Sequence, residues 1–305
     1  MDAISAELHL EYSDAPLVLI AGSNENAIER ARRTVADCGY RIGAAVNIAD
    51  APARWEIQGR ASAVWVELDG SPPDDAYDEF VRCLNADVRA RRYPAVISAP
   101  RELIDPLVSA LEDDVQLLID ANAAERASAL AIALAANLPD EAARDIASDR
   151  SSERLRQLSE EVSRIASTLA RLSTGPAVSA SVIEVSPNDD VPPVSAESVR
   201  SVIRARRLRT RFFSEELFAD PAWDMLLDLL QAEISHLRVP VSSLCIAAAV
   251  PATTALRWLK TMVNQGIFVR RADPLDGRRV FVELSPDASG ALRRYFAEVA
   301  RVAVT

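Results

Sequence analysis

The sequence predicts two folded units of different class: an α/β domain built on a five-stranded parallel sheet, and an α+β domain of helices closed by a basic β-hairpin. A heptad helix separates them. Three observations lead there. Between residues 15 and 138, five short apolar runs alternate with five helical stretches, the pattern of a parallel sheet covered on both faces. From 150 to 173 apolar residues recur at heptad spacing, as in a coiled coil. Beyond 196 several helical stretches lead into two β-prone runs joined by a turn rich in arginine, a hairpin signal.

Residues 1–14 carry no pattern and read as a tail. In the α/β domain the strands fall at Leu17–Ala21, Arg41–Val46, Ala63–Leu68, Ala95–Ser98 and Val115–Ile119. The helices fall at Asn26–Cys38, Ala49–Gln58, Asp74–Arg91, Glu102–Leu111 and Ala124–Leu138. This order and length resemble the receiver domain of response regulators, a flavodoxin-like fold whose ligands sit beyond the carboxyl ends of the strands. The resemblance implies a phosphoryl-transfer site of acids after the first strand, an aspartate ending the third, a hydroxyl ending the fourth and a lysine ending the fifth.

Little of that chemistry is present. Glu25 is the only acid after the first strand, and Glu67 occupies the acceptor position, with Asp69 two residues later. Ser98 supplies the fourth-strand hydroxyl, and the fifth strand ends Ile119-Asp120 with no lysine. An aspartyl phosphate needs a cation pocket and a lysine to offset the transferred charge. The domain is therefore expected to be a phosphorylation-independent pseudo-receiver, used for dimerisation or partner binding. Asp69 is the fallback acceptor, because a slip of two residues keeps the same strand face. Glu67 is either a standing imitation of a charged acceptor or a solvated acid at a strand end.

In the heptad segment Leu155, Leu158, Val162, Ile165, Leu169 and Leu172 are spaced 3, 4, 3, 4 and 3 residues apart. Charged residues fill the outside, so a parallel dimeric coiled coil is expected over 150–173; the alternative is a single amphipathic helix packed on one of the domains. Residues 174–195 contain Gly175, Pro176, Pro187, Pro192 and Pro193 and read as a flexible linker.

The C-terminal domain, 196–305, begins with an arginine-rich helix over Val199–Phe213, followed by helices over Asp220–Ile234 and Val239–Ala249. The last starts near Ser242, a phosphate donor candidate. Pro251–Asn264 is a helix with Ala255, Leu259, Met262 and Val263 on an apolar stripe. Thr253, Thr254, Arg257 and Lys260 lie on the opposite side, and Gly266 stops it. Trp258 is either core or a contact to a thymine methyl. Strands Ile267–Val269 and Val280–Leu284 flank a turn carrying Arg270, Arg271, Arg278 and Arg279. A final helix covers Asp287–Val302. A polar helix fits the major groove, where base edges are distinguishable, and hairpin arginines reach phosphate or the minor groove beside it.

This stretch resembles the winged helix-turn-helix of the MarR family of bacterial transcription regulators. Thr253-Thr254-Ala255-Leu256-Arg257 fits the core of the family's reading helix, Gly266 the following glycine, Arg270 or Arg271 the first wing arginine, and Asp276-Gly277-Arg278 the Asp-x-Arg of the wing. The resemblance implies that Asp276 aims Arg278 at DNA, and that the first helix packs in a dimer interface.

Charge divides in the same sense. Residues 1–140 hold 12 basic and 24 acidic side chains, a net of −12; residues 195–305 hold 16 and 12, a net of +4. A basic module on an acidic carrier is expected if only one end meets phosphate. Cys38, Cys83 and Cys245 are odd in number and far apart, suiting reduced core positions rather than disulfides or a metal cluster. No apolar run approaches the roughly 20 residues of a membrane span, and the N-terminus lacks a signal-peptide pattern; a cytoplasmic location without a membrane partner is expected. No phosphate loop, nucleophile motif or metal-ligand cluster is found, so neither enzyme chemistry nor a cofactor is expected. The reading is a homodimeric regulator that binds a pseudo-palindromic double-stranded DNA site, with a signalling protein or small-molecule effector as a further partner. The alternative is a protein-interaction adaptor that does not read DNA sequence.

Overall fold

The computed structural model describes residues 15–58, 61–71, 74–136 and 193–302. The predicted tail, the heptad positions from Leu155 to Leu172 and all but the last three linker residues lie outside the described residues.

Strands β1 (Leu17–Gly22), β2 (Arg41–Asn47), β3 (Ala63–Glu67), β4 (Ala95–Ala99) and β5 (Gln116–Ile119) form one parallel sheet in the order β2-β1-β3-β4-β5. Successive side chains of a strand face opposite ways. Val18, Ile20, Trp65 and Val96 therefore pack with α1 (Glu25–Asp37) and α5 (Ala123–Ala136). Leu19, Val64, Val66 and Ile97 pack with α2 (Ala51–Glu56), α3 (Asp75–Arg89) and α4 (Ile104–Ala110). Both faces are thus covered, as the uninterrupted apolar strands require.

Polar residues set where the helices begin. The Asn24 side chain accepts the Ala27 N–H at 2.9 Å, and Asp74 accepts that of Tyr77 at 2.9 Å. Asn122 and Glu125 form a reciprocal capping box, each side chain accepting the other's N–H, at 3.0 and 2.9 Å, so two orphan donors of α5 are satisfied at once. The fourth helix departs from expectation at its start, where Arg101–Leu103 takes a 3-10 turn. Pro106 is tolerated only in a first turn, which places the start of the α-helix at Ile104.

The second domain contains α6 (Ala196–Leu208), α7 (Pro221–Ile234), β6 (Val239–Pro240), α8 (Val241–Ala247), α9 (Ala252–Asn264), β7 (Phe268–Ala272), β8 (Val280–Leu284) and α10 (Pro286–Val302). The chain turns by 108° between α8 and α9, the crossing of a helix-turn-helix. β7 and β8 form the wing, with β6 added to β8 in an antiparallel sheet ordered β6-β8-β7.

Three boundaries are corrected. Val239 and Pro240 pair with Val282 and Phe281 as a short strand rather than opening the helix; Pro240 has no N–H and sits on the outward side of an edge, as proline must. Pro251 is extended (φ −51°, ψ 140°) and stands at the cap of α9 rather than in its first turn. The basic first helix ends at Leu208, and Arg209–Arg211 tightens into a 3-10 turn. Among the described residues no single helix is long and apolar enough to cross a membrane.

Candidate nucleic-acid interface

Helix α9 is held by its apolar stripe, with Ala255, Leu259 and Met262 buried in the winged-helix core. Its end is a Schellman motif: the Gly266 N–H donates to the Val263 carbonyl and the Ile267 N–H to that of Met262, both at 2.9 Å. Gly266 takes φ +70° there, a conformation that costs an L side chain about 1–2 kcal/mol. Trp258 is 40% exposed, so it is not a core residue.

The polar face of α9 is not one free surface. Thr254 and Arg257 are exposed and Lys260 is half-buried, but Thr253 is only 7% exposed. The α/β domain covers it. Strand β5 is an edge of its sheet, and the Thr253 hydroxyl oxygen accepts the Ile119 N–H at 2.9 Å and lies 3.4 Å from the Ile119 carbonyl, to which it donates. One side chain thus occupies the place a neighbouring strand would take.

Further contacts tie the same surfaces together. The Ser242 N–H and hydroxyl both donate to the Asp105 carboxylate, at 3.0 and 2.5 Å. The Lys260 ammonium donates to the Asp113 carbonyl, and Arg270 pairs with the Asp113 carboxylate at 3.1 Å. Arg278 reaches Asp78 on α3 at 3.4 Å. Thr253, Arg257, Lys260 and Arg270 line one cavity of about 460 Å³ between these surfaces. Four of the residues named from sequence are therefore brought together, on a surface that the α/β domain faces.

The wing is a tight turn. Asp276 accepts the backbone N–H of Arg278 at 3.0 Å, and its carboxylate pairs with Arg279 at 3.4 Å. It braces the hairpin backbone instead of aiming the Arg278 guanidinium. Arg271 pairs across the hairpin with Glu283 at 3.4 Å.

Among the residues expected to form a receiver-like site, Glu67 matches neither sequence expectation. That side chain is 1% exposed, neither solvated nor presented as a charged surface group. Its carboxylate accepts from Arg126 at 2.9 and 3.1 Å, from Arg30 at 3.3 Å and from the Trp65 indole N–H at 3.1 Å. The arginines neutralise it within the chain. Ser98, its register partner on β4, is also buried. Glu25 is exposed in the first turn of α1. Asp69 is exposed beyond β3, accepts from the Asn24 amide, and is held below the usual carboxylate range chiefly by the Ser71 backbone N–H. Among the described residues no cluster of His, Cys, Asp and Glu could hold a metal.

Sequence reasoning missed Asp78, Asp105, Asp113 and Arg126. The acidic run Glu112-Asp113-Asp114 just before β5 was the one available signal for the covering surface.

No family model matches the sequence, and no curated protein matches it. Among solved structures, the chain is similar to the transcriptional regulator Tm0710 from Thermotoga maritima, with 18% identity over 36% of this chain and 79% of that one, at a TM-score of 0.22. It is similar to the adhesin competence repressor AdcR from Streptococcus pyogenes, with 14% identity over 35% of this chain and 76% of that one, at a TM-score of 0.21. It is also similar to Bordetella bronchiseptica BpsR, whose DNA binding is regulated by 6-hydroxynicotinic acid, with 21% identity over 35% of this chain and 78% of that one, at a TM-score of 0.21.

Proposed function

We propose that the chain is a dimeric bacterial transcription regulator that reads double-stranded DNA through α9 and grips the backbone with its wing. The observation that carries this reading is the convergence of Thr253, Arg257, Lys260 and Arg270 on one surface of a helix-turn-helix, beside a hairpin bearing Arg271, Arg278 and Arg279. A helix of this width enters the major groove, and arginine there can hold a guanine edge. Ser242, on the preceding helix, can donate to phosphate. The heptad residues Leu155, Leu158, Val162, Ile165, Leu169 and Leu172 would pair two copies. A twofold dimer places its reading helices about 34–36 Å apart, one turn of DNA, on a pseudo-palindrome. The α/β domain acts without phosphorylation, as Glu67 is neutralised by Arg126 and Arg30. It serves dimerisation, a signalling partner or a small-molecule effector.

A second reading is favoured by the seam itself. Helix α9 already binds a protein surface, so the winged helix could be a protein-binding module in an adaptor. A titration of the full chain against random-sequence duplex at low salt separates the two. Binding that fades as salt rises supports the regulator; no binding at any salt supports the adaptor.

A further inference from the structure

We infer that α4 and the edge strand β5 of the α/β domain form a docking surface for the reading helix, so that the chain covers its own DNA-binding face and meets duplex only when the two part. The inference rests on the duplex-reading function proposed above.

The docked surface imitates what DNA would offer. Four polar groups of the winged helix that would meet a phosphate or a base edge meet an acceptor of the α/β domain instead: Ser242 with Asp105, Lys260 with the Asp113 carbonyl, Arg270 with the Asp113 carboxylate, Arg278 with Asp78; Thr254 and Arg257 stay exposed, and Arg271 and Arg279 pair within the hairpin. These acceptors belong to the half of the chain with net charge −12. The imitation extends to the peptide backbone. An edge strand leaves alternate N–H and C=O groups unpaired, and Thr253 takes both from Ile119. Thr253 cannot touch a base while it does so.

The polar part of the contact is partly open to solvent. The ion pairs of Arg270 and Arg278 are partly exposed, and pairs in water contribute little each. Cavities of about 620 and 460 Å³ open along the seam. Packing of α4 on α8 supplies the apolar part. When only an open fraction is competent, apparent affinity falls by that fraction, and a ligand that selects the open state must in turn loosen the seam.

The test uses the full chain with Asp105→Ala and Asp113→Ala together. The control carries Asp37→Ala and Glu56→Ala, which remove the same charge from exposed sites away from the seam. Random-sequence duplex binding is measured by anisotropy, and exchange of the Ile119 amide by NMR, with the β1 and β3 amides as a check of folding. The seam variant should bind duplex about tenfold tighter than the control, as expected if the open fraction rises tenfold. Its Ile119 amide should exchange faster, and saturating duplex should have the same effect on the parent. If parent and variant bind equally and Ile119 stays protected in the complex, the docking inference is overturned while duplex binding stands. If Ile119 is released in the variant but no form binds duplex at any salt, the DNA-reading function itself is overturned.

Discussion

Glu67 ends β3 pointing to the same face as Trp65, two residues earlier, and that alternation brings the indole N–H, Arg30 and Arg126 onto one buried carboxylate. Removing one partner of a buried pair leaves the other charge uncompensated. Glu67→Ala should therefore cost about 3 kcal/mol, the low end for a buried pair because Arg126 keeps some exposure, read as a lower urea midpoint at unchanged slope. The same pairing predicts that incubation with a small phosphodonor and Mg²⁺ adds no phosphoryl group by intact mass. On α9, Arg257 is exposed. Arg257→Ala should weaken duplex binding by about 1–3 kcal/mol and relax base preference, measured by selection on a random library. Cys245 is buried, and that burial, with Asp105 second, pushes its thiol up to about 12. It should resist alkylation near pH 8 in the folded chain.

Elements were legible where the determinants are local. Apolar runs and the 3.6-residue period located β1 to β5, the two hairpin strands and every described long helix, but not β6, and the caps Asn24, Asp74, Asn122 and Asp220 sit where such residues are favoured. Three boundary errors fall at prolines, where Pro106, Pro240 and Pro251 each moved a helix start because of a missing N–H and a fixed φ; the early end of the first basic helix at Leu208 does not. Gly266 was legible for the same local reason. A Cβ there meets nothing within 4 Å, so Gly266→Ala should cost about 1–2 kcal/mol from backbone strain alone, measurable by thermal unfolding. The seam was not legible. It joins residues 134 to 200 positions apart, and Thr253 looks the same in sequence whether it faces a base pair or an edge strand. The fate of Glu67 was hidden likewise, since Arg126 stands 59 positions away.

For the whole molecule, the charge split acquires a second meaning. On the reading proposed above, an acidic half facing a basic half would keep the phosphate-seeking surface occupied within the chain and leave the winged helix dependent on release. Duplex binding and docking are then coupled, each opposing the other by the same free energy. Pairing of copies is a separate matter, proposed above for the heptad segment. Leu158→Asp with Ile165→Asp should yield monomers in sedimentation equilibrium while the parent sediments as a dimer. The account is tested most directly by the salt dependence of duplex affinity in the chain carrying Asp105→Ala and Asp113→Ala, with and without Arg278→Ala. It predicts that log affinity falls linearly with log salt, and that Arg278→Ala lowers the slope by about one. An absence of binding at about 50 mM salt, or binding indifferent to salt, contradicts a surface made to grip phosphates.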